Sequence, residues 1–596
     1  MIILHRDTRE YIYPISRNRV VVRLQAQTRS LTECEIVFWN RFTPENIQWK
    51  MLNCVGRDGV LDYYIAELNF CESAKYLRYY FKLKSENSIV FFSRDGQTDA
   101  QPSTFFEYLA TAESDIYSIP DWAKGIIWYQ IFPDRFCNGQ PANDPSNCVK
   151  WNSEPTRDNY FGGDLTGIQL KLPYLQELGV EAIYLTSIFA SPSNHKYDTV
   201  DYYRIDPAFG TEKQLVEFVG KCHQSHIRII LDGVFNHCGY EFPPFQDVLK
   251  NGEASPYADW FYINSFPVKT DPPNYECVGY YKWMPKLRYG NPKVRAYFLE
   301  VGVYWIHIAD IDGWRLDVAD EVDFTFWQEF RRAIKSEKPD ALLLAETWKD
   351  GNDLLRGDQM DSVMNYLFRD ACVDFFAKGT IDSTTFNRRI QNILHCTPTP
   401  IQLVMYNLIG SHDTARFLTL CCGDIRKLKL ATVFQMTFPG MPAIYYGDET
   451  GMSGENDPGC RRSMNWESAD WNLQKFFKKL ISLRKKSSAI RYGSFWALLC
   501  DKYIYGFARR SAYESAYIII NNSPEVQHII LPIFERIEEI ESMECPVSDA
   551  SYVPKVLNNA ESLYNNDICN YSSQLEIVLS AYCFELIFIR RSEDEN

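Results

Sequence analysis

The 596-residue sequence predicts an α/β protein: a (β/α)8 barrel with an inserted subdomain, flanked by an N-terminal and a C-terminal β-sandwich. Three observations lead there. Both ends of the chain are rich in short alternating apolar runs broken by polar turns. The middle alternates eight short apolar runs with helical stretches. One connection within that middle part is too long for a simple loop.

Residues 1–122 contain "RVVVRLQAQ", "ECEIVFWN" and "LRYYFKL", strand-length runs that fit an antiparallel sandwich. After "SIPDWAKG" the pattern changes. The buried strands of the barrel, residues 123–490, are "GIIWYQIF", "AIYLTSIF", "IRIILDGVF", "GWRLDV", "ALLLAET", "SVMNYLF", "IQLVMYNLIG" and "PAIYYGDE". The Pro-, Tyr- and Gly-rich segment at about 238–290 is expected to be the subdomain, lying over the barrel mouth. The amphipathic "LQKFFKKLISLRKKS" is expected to be the last barrel helix. Residues 491–596 return to β-rich runs ("KYIYGFARR", "AYIIINN", "HIILP", "CFELIFIR") and form the closing sandwich.

Bulk properties exclude several function classes. The net charge of −15 and the lack of a basic run argue against nucleic acid or an anionic membrane as partner. No apolar run is long enough to span a bilayer, and the N-terminus lacks the pattern of a secretory signal. Seventeen scattered cysteines without a CxxC pair then read as reduced thiols in a cytoplasmic protein. Aromatics make up 15% of the chain, serving either ordinary core packing or stacking against sugar rings.

In such a barrel the chemistry sits at the carboxyl ends of the strands. The stretch "HIADIDGWRLDVADEVDF", His307 to Phe324, holds six carboxylates, and this rule sorts them. Asp310 and Asp312 precede the strand and are expected to be solvated or capping groups. Asp317 ends it. Arg315, two residues earlier, shares its face and is expected to lower its pKa, although for this pair taken alone a structural salt bridge is the more ordinary explanation. Glu346 ends the apolar "ALLLAETW", where partial desolvation can keep a carboxyl protonated. Asp232, Asn236 and His237 end "IILDGVFNHCG", and His412 with Asp413 ends "NLIGSHDTAR". One strand-end histidine is ordinarily core. Several such clusters point to a paired nucleophile and acid, the equipment of a retaining glycosidase.

The segments "DGVFNH", "GWRLDVA", "LLLAETW" and "IGSHDTAR" resemble, in order, the four main motifs of glycoside hydrolase family 13, the α-amylase family. "MPKL", "YFGGDL", "SNHKYDT" and "MPAIYYGDE" resemble its neopullulanase, cyclomaltodextrinase and maltogenic amylase group. The resemblance implies Asp317 as nucleophile, Glu346 as acid/base and Asp413 as the third carboxylate. It implies that His195, Tyr197, Asp232, His237, Arg315, Glu321, Trp348, His412 and Arg416 bind substrate. Cyclodextrins, malto-oligosaccharides, pullulan or starch would be cleaved at α-1,4 bonds, with transglycosylation a further outcome. It implies a Ca²⁺ site at Asn138, Asn143, Asp144, the Gly162 carbonyl and Asp164, although Gln140 stands where the group has Asp and a metal-free turn is the alternative. Residues 1–122 would be a carbohydrate-binding family 34 module. A homodimer would place each module over its partner's barrel mouth. Departures from the group's pattern include Ser187, Arg288, Asp320, Phe324 and Lys349. The competing class is a non-catalytic protein, either glucan-binding or transporter-associated.

Overall fold

A computed structural model describes residues 1–109, 112–534, 555–557 and 573–590. The N-terminal part is a sandwich of two antiparallel sheets. Arg19–Gln27 and Leu61–Asn69 lie at the heart of one, Glu33–Asn40 and Leu77–Lys84 at the heart of the other. Their alternating apolar residues (Val20, Val22, Leu24 against Ile36, Phe38, Phe81) meet in a core of their own. The module is fastened to the barrel helix Ser383–Cys396 and the turn that follows it. Arg23 donates to the carbonyls of His395 (2.8 Å) and Thr397 (2.6 Å), and Tyr63 stacks on His395 with centroids 4.2 Å apart.

The barrel strands are β1 (Trp128–Ile131), β2 (Ala182–Leu185), β3 (Arg228–Gly233), β4 (Gly313–Leu316), β5 (Leu342–Ala345), β6 (Ser362–Val363), β7 (Tyr406–Leu408) and β8 (Met441–Tyr445). They pair in parallel in the order β6-β5-β4-β3-β2-β1-β8-β7. A parallel bridge between Met364 and Tyr406 closes the ring. Helices outside and side chains inside bury both faces, which explains the unbroken apolar runs. β4 opens on Gly313 (φ +150°), where a Cβ would lie 2.0 Å from the Leu342 carbonyl. Only glycine fits there.

Two strands are shorter than their apolar runs. In "SVMNYLF", Asn365 accepts from Phe368 N–H (3.1 Å) and caps the helix Tyr366–Cys372, so its side chain ends the strand. In "IQLVMYNLIG", Thr399–Gln402 is a helical turn before β7 begins. Apolar content alone does not separate a buried strand from a buried helix.

The segment after β3 forms a small subdomain. It contains the helix Pro243–Asn251 and isolated bridges such as Phe261–Leu287 and Cys277–Pro285, and the bridge His237–Lys286 ties it to the end of β3. Helix Trp471–Lys486 closes the barrel. The C-terminal part comprises two antiparallel sheets, with Ile504–Arg510 and Glu514–Asn521 at the centre of the larger.

Asp312 corrects an expectation. It is fully buried at the bottom of the barrel rather than solvated. Arg228 Nη1 (2.8 Å), Ile229 N–H (2.8 Å), Lys338 Nζ (3.1 Å) and His223 Nε2 (2.8 Å) surround it. Burial opposes its charge, yet these partners outweigh burial and hold the carboxyl down at about 2. Asp310 caps the preceding helix and is exposed, as expected. Asp323 caps the next one, accepting from Thr325 N–H at 2.8 Å.

Candidate active site

Three carboxylates converge on one guanidinium at the top of β3, β4 and β5. Arg315 Nη1 donates to Asp232 (2.9 and 3.0 Å) and to Asp317 Oδ1 (2.7 Å), and its Nη2 lies 2.7 Å from Glu346 Oε2. Burial works against the charge on Arg315, but Asp232, Glu346 and Asp317 outweigh it and keep the group ionised. Asp317 behaves differently from the sequence expectation. Burial, reinforced by Glu346, Asp232 and Asp413, raises its pKa, and Arg315 offsets only part of this because it serves three acids at once. Burial raises the pKa of Asp232 likewise, against the pull of Arg315 and of the hydrogen bonds from Tyr184 and Tyr197.

The backbone fixes the acids. Asp317 N–H donates to Gly233 O (3.1 Å), and Glu346 N–H donates to Leu316 O (2.9 Å). Val318 takes a left-handed conformation (φ +45°, ψ +46°), a strained state for a β-branched residue. That turn aims Val318 N–H at Glu346 Oε2 (3.0 Å), while Glu346 Oε1 has no hydrogen-bond partner among the described residues. Oε1 is thus left open to a bond with a ligand.

A second chain of bonds arises from β1, β2, β3 and β7. Tyr197 O–H donates to Asp232 Oδ2 (2.7 Å) and lies 2.6 Å from His412 Nε2. Gln130 Nε2 lies 2.6 Å from His412 Nδ1, and Tyr184 O–H donates to Asp232 Oδ2 (2.6 Å). Burial lowers the pKa of His412 far enough to keep the ring neutral, and holds His237 at about 4. With Nδ1 accepting, His412 carries its proton on Nε2. His195 Nδ1 accepts Tyr197 N–H (3.1 Å), so its Nε2 also bears the proton. His237 Nε2 bonds the Tyr197 carbonyl (3.0 Å) and braces the same loop.

Asp413 stands apart from Arg315's hydrogen bonds. Its Oδ2 is 3.2 Å from His412 Nε2, and its Oδ1 accepts from Arg461 Nη2 (3.3 Å). Burial raises its pKa, and Arg461 pulls it back. Sequence reading missed Arg461, which lies in "GCRRS" beyond β8 and also donates to His412 O (2.8 Å). No periodicity marks a loop arginine; only the fold brings it there. Arg416 goes elsewhere. Wholly buried, it bonds Asp448 (2.9 Å), Tyr446 O (2.8 Å) and Cys460 O (3.0 Å) behind the site.

On the other side, Trp348 is 53% exposed and stacks on Tyr366 with centroids 3.9 Å apart. Lys286 of "MPKL" reaches Asn236 Oδ1 (2.7 Å) and Glu321 Oε2 (3.2 Å), and so sets Glu321 at the rim.

The chain as a whole has known relatives. A family model described as "Alpha amylase, catalytic domain" matches residues 130–472, and one described as "Alpha amylase, N-terminal ig-like domain" matches residues 1–112. The chain belongs to the α-amylase family. Among its relatives, a cyclomaltodextrinase of Geobacillus thermopakistaniensis (strain MAS1) is 45% identical, the alignment covering 89% of this chain and 92% of the relative. Neopullulanase 2 of Thermoactinomyces vulgaris is 43% identical, covering 89% and 93%. A solved cyclomaltodextrinase structure superposes with a TM-score of 0.90 at 35% identity, covering 98% of this chain and 99% of the other. This α-amylase-family protein is a glycoside hydrolase.

The loop expected to hold a metal lies after β1. Asn138 Oδ1 and Asn143 Oδ1 are buried without a hydrogen-bond partner. A Cβ on Gly162 would fall 2.4 Å from Asp144 Oδ1 and 2.6 Å from Asn138 Nδ2, so these groups crowd one point. Asp164 is engaged otherwise: its carboxylate accepts from Gly167 N–H (2.6 Å) and Gln140 N–H (2.8 Å), capping a helix and closing the loop. Among the described residues, no helix is long and apolar enough to cross a membrane, and all fifteen described cysteines are free.

Proposed function

We propose that the protein cleaves α-1,4-glucosidic bonds by double displacement with retention, acting on cyclodextrins, malto-oligosaccharides, pullulan or starch. The observation that carries this reading is the pair Asp317 and Glu346, held by one guanidinium at the ends of adjacent strands. Asp317 attacks the anomeric carbon while Glu346 protonates the leaving oxygen. Glu346 then deprotonates the water that releases the sugar. Asp413 and His195 offer an acceptor and an N–H donor to ring hydroxyls, His412 holds Tyr197 and Asp413 in place, and Trp348 offers a stacking face. The relatives' names, cyclomaltodextrinase and neopullulanase, support cyclodextrin and pullulan as substrates. Release of reducing ends from β-cyclodextrin, pullulan and starch, measured side by side, ranks the substrates, and NMR of the first-formed anomer reads the stereochemistry. No turnover of any of the three, or an inverted first product, refutes the reading and favours a glucan-binding role.

Ca²⁺ fits the loop after β1. The orphaned amide oxygens of Asn138 and Asn143, with Asp144 and the Gly162 carbonyl, are the hard oxygen donors that this ion takes. Bound there, it would stiffen the loop, with Asp164 as anchor rather than ligand. A cytoplasmic location is supported by the unpaired thiols. A homodimer is supported by exposed aromatic side chains at two places on the surface. Of the module's aromatics Tyr11, Tyr13, Phe38, Trp39, Trp49, Tyr63 and Tyr64, only Trp49 is exposed, at 66%, beside Phe42 and Ile47. On the inserted subdomain Tyr280 is 98% exposed, beside Tyr281 and Trp283.

A further inference from the structure

The loop that carries His195 and Tyr197 is held by a buried ion pair. Phe189–Ala190 and Asp201–Ile205 form a short antiparallel hairpin, and residues 191–200 are its turn. Lys196, midway round that turn, is only 1% exposed, and its Nζ lies 2.8 Å from Oδ2 of Asp206, just past the hairpin. Nζ also donates to Ser191 O (3.2 Å), and Asp206 Oδ2 accepts from Ser191 N–H (3.1 Å). One ammonium thus ties the middle of the turn to both of its ends. The rings of Tyr160 and Phe209 flank Nζ, with centroids at 5.1 and 5.4 Å.

The backbone of Lys196 sits at φ +67°, in the left-handed region that favours glycine. Its N–H donates to Ser193 Oγ (3.1 Å), and its carbonyl accepts from Thr199 O–H (3.0 Å). Glycine would make this turn without strain, so the backbone alone does not explain a lysine here. The ion pair does. The same turn sets the rings of His195 and Tyr197 face to face, centroids 6.0 Å apart, and Tyr197 stacks on His412 at 5.4 Å. Burial lowers the pKa of His195, and the charges on Arg461 and Lys196 add to this, which favours the neutral ring.

We infer that Lys196 is a positioning residue: pinned to Asp206, it sets the turn that presents His195 Nε2 and the Tyr197 ring to the sugar under attack. It governs the bond-breaking step without touching substrate. The inference rests on the retaining mechanism proposed above. His195 and Tyr197 act on the sugar that becomes joined to Asp317, not on the leaving group. A displaced turn therefore does most harm as that sugar approaches the transition state, where placement matters most.

Lys196→Met keeps the apolar stem and removes the ammonium. With active sites counted by trapping the glycosyl-enzyme, its kcat on maltotriose should fall about tenfold, with a smaller change in KM. The loss should be as large on α-maltosyl fluoride, which needs little protonation of the leaving group. The double variant Lys196→Met/Asp206→Asn removes both buried charges. It should regain most of the melting temperature lost by the single variant, yet stay as slow. Lys196→Gly, suited to the backbone but without the anchor, should also stay slow. Recovery of kcat together with melting temperature in the double variant overturns the inference, because the pair then serves stability alone. Wild-type kcat in Lys196→Gly, or in folded Lys196→Met, overturns it too. If Lys196→Met does not fold, the other two variants decide. Failure of the wild type to form a glycosyl-enzyme on Asp317 overturns the retaining reading as well.

Discussion

Replacing Asp317 with asparagine removes one of three carboxylates that share Arg315, and its effect on stability depends on pH in a definite sense. Asp317 is 6% exposed, and burial raises its pKa in the folded protein. Over the window between the unfolded and folded values, the native state binds the extra proton. Stability is therefore fully present below the unfolded value and is lost as pH rises through the folded one, at up to ~1.4 kcal/mol per pH unit for one proton. Asparagine holds the neutral form at every pH, and its amide oxygen still accepts from Arg315. Arg315 keeps Asp232 and Glu346 as counter-charges. The variant should thus melt close to the wild type in acid and above it at neutral pH, by ~0.5–2 kcal/mol, the usual gain when a strained functional site is relieved. Its hydrolytic activity should be almost abolished, because an amide cannot act as the nucleophile. The assay is the apparent melting temperature of both proteins from pH 4 to 8, with turnover of β-cyclodextrin on the same samples. A melting difference that is flat or shrinks as pH rises would refute the shared-charge account, and substantial activity in the folded variant would remove Asp317 from the nucleophile's place.

Three further outcomes are expected. Glu346→Gln should cripple cleavage of sugar leaving groups by ~10²–10⁴-fold while sparing glycosyl fluorides, which need little protonation; equal losses on both count against an acid role. Chelation should lower the melting temperature and leave the initial low-temperature rate nearly unchanged, since Asn138 and Asn143 sit on the first barrel connection; an unchanged melting curve with no calcium by elemental analysis favours the metal-free turn. Trp49→Ser should weaken self-association by light scattering and raise the starch-to-cyclodextrin rate ratio, while a wild-type monomer at high concentration would end the dimer proposal.

The sequence by itself determined the barrel and its two flanking sandwiches, because burial on both faces writes continuous apolar runs and burial on one face writes alternation. It also determined which strands end in acids, since Asp317, Glu346 and Asp413 each close an apolar run within a few residues. Only the tertiary structure decided the electrostatics. Local spacing pairs Arg315 with Asp317 alone and so predicts a lowered pKa. The fold adds Asp232 and Glu346 to the same guanidinium and buries them all, which reverses the sign. Asp312 shows the opposite case: it precedes its strand in sequence, and the barrel floor surrounds it with His223, Arg228 and Lys338. The fold likewise separates Arg416, turned behind the site, from Arg461, delivered by a loop 48 residues beyond Asp413. Burial periodicity is a property of neighbours along the chain, and one strand suffices to show it. Charge balance is a property of neighbours in space, summed over every element that reaches the site, and no single segment carries it.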